Sequence, residues 1–243
     1  MKTLVFAKRC AKEILRDPLN IFFGLGFPIV LLFLLSAIQA NIPVEIFEIE
    51  RLAPGIAVFG LSFMTLFSAT LVSKDRESSF LQRLYTAPLK PANFILGYML
   101  PLLPIAIGQS VFCFIAATIF GFPITLNILF ALLMMIPVAI FYVALGLLCG
   151  SVLNVKQVGG ICGALLTNLS AWLSGVWFDI ELVGGAFKKA ADFLPYLHAV
   201  ELEKAVINGN FSEIFPHIVF VSGYAALVAV CAVILFLKQM KNQ

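Results

Sequence analysis

Apolar residues run along this chain in six long blocks, separated by shorter polar or charged segments. The blocks cover about Leu19–Ile38, Leu52–Ser73, Asn93–Phe120, Leu126–Ser151, Val158–Phe178 and Phe215–Leu237. Each is long enough to cross a hydrocarbon layer as a helix. None has the ten-residue alternation of a barrel strand, and backbone in lipid must satisfy its own hydrogen bonds. The pattern therefore predicts an all-α membrane protein with six transmembrane helices, forming one domain over residues 1–243.

The polar segments carry patterns of their own. In residues 1–18, Leu4, Ala7, Ala11 and Ile14 recur at helical spacing, while Lys8, Arg9, Lys12 and Arg16 fall mostly on other faces. This predicts an amphipathic helix lying on the inner leaflet and ending near Asp17-Pro18. Residues 19–73 hold the first two spans. Residues 74–91 then form the one sizeable inner loop, where Glu77, Leu81 and Leu84 share a helical face beside Phe80 and Arg83. Pro88 and Pro91 stop that helix before spans three to five, in residues 92–178. A short mixed helix of this kind suits docking into a partner.

Residues 179–214 are too polar to cross a membrane, yet Leu182, Phe187, Phe193, Leu194, Tyr196, Leu197 and Val200 are too apolar for a free loop. Pro195 fits the first turn of a helix that ends at Asn208-Gly209. The reading is two short re-entrant helices dipping into the outer leaflet, followed by the sixth span and tail in 215–243.

Composition agrees with a membrane span in every block. The 243 residues are 61% hydrophobic and 12% charged, too little charge to cover a water-facing surface. The net charge of +3, spread along the chain, gives no basis for nucleic-acid binding. With the N-terminus inside, twelve of the sixteen Lys and Arg fall on inner segments and four (Arg51, Lys188, Lys189, Lys204) on outer ones. That bias predicts a multi-pass protein of the plasma (inner) membrane with both termini cytoplasmic. A cleaved signal peptide is disfavoured, because the run after Arg16 has full spanning length.

Candidate chemistry is sparse. Cys10, Cys113, Cys149, Cys162 and Cys231 form no C-x-x-C pair and read as small buried hydrophobes, so neither a disulfide framework nor a metal site is expected. There is no phosphate-cradling G-x-x-x-x-G-K-[ST] loop, no H-E-x-x-H and no G-x-S-x-G, so no catalytic, cofactor-binding or metal residue is assigned. No ionisable residue sits in the middle of a block, which argues against ion-driven transport. Small residues recur four apart in Gly146/Gly150, Gly159/Gly163 and Ala171/Gly175. The last two pairs, with Thr167 and Asn168, give the fifth span a small, mildly polar face, a candidate dimer seam or path. Close packing within one chain explains such spacing equally well.

Several stretches resemble the ABC-2 type permeases. Arg16-Asp17-Pro18 before the first span, Pro28 within it and Pro54-Gly55 opening the second follow that family's order. Asp75-Arg76-Glu77, Leu81-Gln82-Arg83-Leu84, Pro88-Leu89 and Gly97 resemble its E-R-E-x-G-T-x-E-x-L-x-x-x-P-L run. Here Asp75 replaces the first Glu and Ser78-Ser79 replaces Gly-Thr. Ser174-Gly175, Phe178 and Leu194-Pro195 resemble the end of the family's fifth span and its outer helices, without the Pro usual near Phe178.

The resemblance implies the membrane subunit of an ABC exporter. A coupling helix carrying Asp75, Arg76, Glu77, Phe80, Leu81, Arg83, Leu84 and Pro88 would seat in a separate ATPase subunit. Lys8, Lys12, Arg16 and Asp17 would belong to a connecting helix beside that joint. ATP and Mg would bind the partner ATPase, and a second permease copy or a paralogue would complete the assembly. The apolar spans favour a hydrophobic or amphipathic cargo such as a drug, antibiotic or lipid. The alternatives are an ion channel or secondary transporter without an ATPase, an energy-coupling scaffold and an intramembrane enzyme. The first lacks intramembrane charge, a filter-like loop or an inverted repeat, the second its Ala-Arg-Gly docking signals, and the third any positive signature.

Overall fold

The computed structural model describes residues 2–42, 45–78 and 91–241. Among them the chain is almost wholly helical, with no strand. Helix α1 covers Lys2–Arg16. Helix α2, residues 18–41, contains a π-helical stretch at Phe22–Gly26 between Pro18–Ile21 and Phe27–Asn41. Helices α3 (Ile49–Glu77), α4 (Pro91–Thr118) and α5 (Asn127–Val152) follow. Helix α6, residues 155–173, again holds a π-helical stretch, at Gly159–Leu166. Three shorter helices, α7 (Ile180–Val183), α8 (Gly185–Phe193) and α9 (Pro195–Ile207), precede α10 (Phe211–Lys241).

Among the described residues, five helices are long and apolar enough to cross a membrane: Phe22–Asn41, Ile49–Glu77, Asn93–Thr118, Asn127–Val152 and Phe211–Gln239. Helix α6 also runs the height of the bundle. At one end the Val155 N–H bonds Glu77, and at the other Val176 lies against Gly55 near the start of α3. Both α1 and the last turns of α10 lie at the Glu77 end, since Arg9 meets Asp75 and Gln239 meets Arg76.

Helix α3 is the axis of the bundle. Its apolar window is 89% buried, against 17–44% for the other four, whose outer faces expose Phe, Leu, Ile and Val. In a molecule with this little charge, such exposed apolar faces suit lipid rather than water. Helix α3 can take the central position because small residues let neighbours approach. A Cβ on Gly60 would collide with the Gln109 amide of α4 and lie 2.9 Å from Pro28 of α2. On the opposite side Gly146 and Gly150 of α5 face α3 directly. A Cβ on Gly146 would strike the Thr65 carbonyl oxygen, and one on Gly150 would lie 2.6 Å from that of Ala69. Thr65 Oγ1 donates to Tyr142 O at 2.9 Å and Ser68 Oγ to Val143 O at 3.0 Å across the same seam. The first small-residue pair of the sequence thus works within the chain, as close helix contacts in membranes commonly do.

Several expectations are corrected. The second span does not stop at Ser73: the helix continues to Glu77, so Asp75, Arg76 and Glu77 form its last turn rather than a loop. The fifth ends at Leu173, because Gly175 turns the chain with φ +70°. Ala171 and Gly175 therefore do not share a helical face, and Gly175 belongs to the turn instead of a seam. The buried face of α1 is Phe6, Ala7, Cys10 and Ile14, packed against α4, while Leu4 is 67% exposed. Phe6 rests on Gly97, whose missing side chain makes room for the ring, and meets Tyr98 edge-on with centroids 4.9 Å apart. The segment after Asp179 forms three helices rather than two. The last starts at Pro195 and ends at Asn208, with Gly209 at φ +72°, as its sequence predicts.

The α3–α5 seam gives a direct test. Gly146→Leu should cost on the order of 2–3 kcal/mol, because bulk is forced against backbone that cannot yield. Gly108→Leu, where a Cβ meets nothing within 4 Å, should be nearly neutral. Thermal unfolding in detergent reads the difference, and equal melting of the two variants would contradict the packing described.

Candidate functional site

Three consecutive side chains at the end of α3 reach three different parts of the molecule. Asp75 is 2% exposed, and its carboxylate accepts both arms of the Arg9 guanidinium, at 2.5 and 2.6 Å, and the Tyr98 hydroxyl at 2.8 Å. A buried carboxylate is tolerable when ion-paired and hydrogen-bonded at this density. Arg9 also pairs with Glu13 at 3.0 Å. Burial works against the Arg9 charge, but its bonds and attraction to Asp75 prevail and raise its pKa. Helix α1 is thus fastened to α3 and α4 through one acid.

Arg76 turns the other way. It donates to the Ser151 carbonyl, to Leu153 O at 2.6 Å and to Gln239 Oε1 at 3.3 Å. Its charge thereby meets carbonyls that α5 leaves unpaired at its C-terminus and reaches the last turns of α10. Glu77, one residue on, accepts the Val155 N–H at 2.8 Å, at the first turn of α6. That turn also has a capping box, in which Asn154 and Gln157 exchange side-chain-to-backbone bonds at 2.9 and 3.0 Å. Asp75-Arg76-Glu77 therefore joins α1, α4, α5, α6 and α10 immediately ahead of residues 79–90. Phe80, Leu81, Arg83, Leu84 and Pro88 lie outside the described residues.

The second feature is an apolar groove of about 630 Å³ between α2, α3 and α6. Phe23 and Phe27 of α2, Phe59 and Phe63 of α3, and Trp172 and Trp177 wall it with aromatic faces. Phe63 stacks on Phe23 at 5.8 Å, and Phe59 meets Trp177 edge-on at 5.7 Å. Gly163, Thr167, Asn168 and Ala171, read as a seam or path, line its other side. Thr167 is occupied, donating to Cys162 O at 3.0 Å, and Asn168 donates to Ala164 O at 2.8 Å. Gly159 stands apart: a Cβ there would meet nothing within 4 Å. Both π-helical stretches contribute to the walls, through Phe23 and Gly163. Such stretches carry looser hydrogen bonding and recur at working sites.

Lys8, Lys12 and Arg16 are exposed on one stripe of α1, every fourth residue, and Asp17 follows at its end. All five cysteines are free thiols. Among the described residues no group of three or more His, Cys, Asp or Glu could hold a metal.

Sequence reasoning missed two groups. Arg9 was one basic residue among five on α1, and its partner Asp75 is 66 residues away. Glu203 on α9 is fully buried and neither carboxylate oxygen has a hydrogen-bond partner. The only signal was its setting, an acid among Ala199, Val200, Leu202 and Val206, which the structure packs against α3, α5 and α10. Burial alone raises its pKa well above the usual carboxylate range.

A bundle with a central helix, lipid-suited outer faces and several long apolar helices is a multi-pass membrane protein. The ABC-2 type transporter family model matches residues 1–207, and the chain belongs to that family. Its members are membrane permease components of ABC transporters, which lack an ATPase site of their own and normally work with ABC ATPase partners. No curated protein matches this chain.

Glu203 gives a pH-dependent expectation. Folded protein holds its proton where an unfolded carboxyl, with a pKa of about 4.3, has lost it. Stability should therefore fall as pH rises above that value, by up to about 1.4 kcal/mol per pH unit until Glu203 ionises. Glu203→Gln should match the native chain near pH 4 and exceed it increasingly as pH rises from there. Parallel stability–pH curves for the two proteins would refute this reading of Glu203.

Proposed function

We propose that this chain is the membrane half of an exporter that moves a hydrophobic or amphipathic molecule out of the cytoplasm or inner leaflet. A separate ATPase subunit docks on residues 79–90 and supplies the energy. In this reading α6 also crosses, as the fifth of six spans in chain order, and the Asp75 end of the bundle, with both termini, faces the cytoplasm of a plasma (inner) membrane. The twelve-to-four Lys/Arg bias and the shared position of α1 and the end of α10 support that orientation.

The observation that carries the proposal is the junction at Asp75-Arg76-Glu77. A push on the docking segment reaches the end of α3, and through three side chains it reaches α1, α4, α5, α6 and α10 together. The same α3 carries Phe59 and Phe63, two walls of the aromatic groove. A groove of aromatic rings without a charged residue suits a flat or greasy cargo such as a drug, antibiotic or lipid. A second copy of the chain, or a paralogue, would face it across the open Gly159 surface of α6, enclosing a path between the two grooves.

Leu81 and Leu84 would fill an apolar groove of the ATPase, with Arg83 at its rim. Truncating a central anchor of an interface costs about 2 kcal/mol or more, roughly thirtyfold in affinity, and a rim charge costs less. Leu84→Asp should therefore leave membrane insertion intact, release the ATPase and abolish ATP-driven export. Arg83→Ala should weaken both mildly, more so at high salt. Co-purification with the ATPase and transport in proteoliposomes measure this, and retention of partner and transport by Leu84→Asp would refute the docking assignment.

A further inference from the structure

Beside the junction lies an open cleft of about 840 Å³ between α1, the Asp17-Pro18 turn and the last turns of α3. Its walls carry Lys8, Arg9, Lys12 and Arg16 from α1 and Lys74 from α3, with Glu13 and Asp17 as the acids. Arg9 is consumed by Asp75 and Glu13. Lys8, Lys12, Arg16 and Lys74 are exposed, and none makes an ion pair or a side-chain hydrogen bond among the described residues. The fold thus gathers four uncommitted cations around one concavity, although like charges repel.

What lies around the cleft narrows the ligand. Val5, 70% exposed, lines the cleft itself, Leu15 stands 55% exposed next to Arg16, and Ile21 and Phe22 stand exposed shortly after Pro18, at 40% and 52%. Cations with uncovered apolar residues at their margin match an anionic head joined to apolar chains. Phosphate esters accept several Lys and Arg donors at once, and basic pockets between helices at a membrane surface bind such headgroups. We infer that this cleft is a binding site for the phosphate headgroup of an anionic phospholipid, with acyl chains running along Leu15, Ile21 and Phe22. The headgroup would neutralise the Lys8–Lys12–Arg16 stripe and pin α1 at the leaflet surface, beside the Asp75 junction. The inference rests on the membrane placement of α1 proposed above, but on neither the ATPase nor the cargo.

The test uses the full chain in detergent, with bound lipid counted by native mass spectrometry. Phosphatidylglycerol and phosphatidylcholine of identical acyl chains are the probes, and glycerol 3-phosphate is the soluble competitor. The native chain should retain phosphatidylglycerol over phosphatidylcholine, and millimolar glycerol 3-phosphate should not displace it. Lys8→Gln/Lys12→Gln/Lys74→Gln should lower its affinity tenfold or more, at several-fold per cation removed. Lys8→Arg/Lys12→Arg/Lys74→Arg should keep it, and Lys188→Gln/Lys189→Gln, a control that removes two cations elsewhere on the chain, should change nothing. Unaltered lipid retention by the triple Gln variant, or equal retention of phosphatidylcholine, would overturn the headgroup site. Displacement by glycerol 3-phosphate would overturn it in favour of a soluble phosphate ester. Loss of the ATPase from the triple Gln variant, with lipid retention unchanged, would overturn it in favour of a protein dock. Lipid loss with ATP-driven export intact would support the headgroup site and leave the transport reading standing.

Discussion

One buried carboxylate sets the terms for the whole charged end of this protein. Asp75 closes a helix whose other residues are nearly all apolar or small, and it has almost no water. An ion so placed destabilises the fold unless it is met by opposite charge and hydrogen bonds. Arg9 and Tyr98 meet it, and the requirement fixes much else. Helix α1 has to lie where Arg9 can reach, so Phe6 must enter the notch at Gly97. The amphipathic helix is thus part of the bundle on one face and free for the membrane surface on the other.

Consequences spread along α3 because it is the axis. Its small residues admit α2, α4 and α5 closely, its last turn grips five other helices, and its middle presents Phe59 and Phe63 to the groove. A tightly packed helix does not bend locally at low cost, so displacement at Glu77 moves the groove wall as a unit. The compliant elements are opposite, in the π-helical stretches of α2 and α6; at Gly159 and Gly160 of α6 a Cβ would meet nothing within 4 Å, while Gly24 of α2 is packed against Phe67. A stiff axis flanked by two looser walls is an arrangement that can widen and narrow a groove.

Much of this was legible from hydropathy, since long apolar blocks in lipid have few structural options. The helix starting at Pro195 and ending at Gly209 followed from turn chemistry alone. What failed was long-range. The small pair at Gly146/Gly150 and the pair at Gly159/Gly163 look alike in sequence, yet the first abuts α3 and Gly159 faces open space. Ala171/Gly175 has the right spacing, but a positive φ breaks the helix between them. Asp75, Arg76 and Glu77 were read as outward-facing docking charges, whereas their partners are 23 to 163 residues away within the same chain. Spacing reports a helical face, and only tertiary packing decides what that face meets. Glu203 evaded detection because an exposed and a buried acid have the same local pattern.

The dependence on Asp75 is measured most directly by a double-mutant cycle with Arg9. Arg9→Gln strands a buried charge, and removal of one partner of a buried pair costs about 3–5 kcal/mol. Adding Asp75→Asn removes that charge, so Arg9→Gln/Asp75→Asn should be more stable than Arg9→Gln alone, with a coupling energy of about 1 kcal/mol or more. Unfolding of the four proteins in one detergent, followed in parallel with ATP-driven transport, gives the cycle. The account predicts strong non-additivity, with the double variant recovering stability that the Arg9→Gln single loses. Simple additivity, with α1 still docked in every variant, would contradict it.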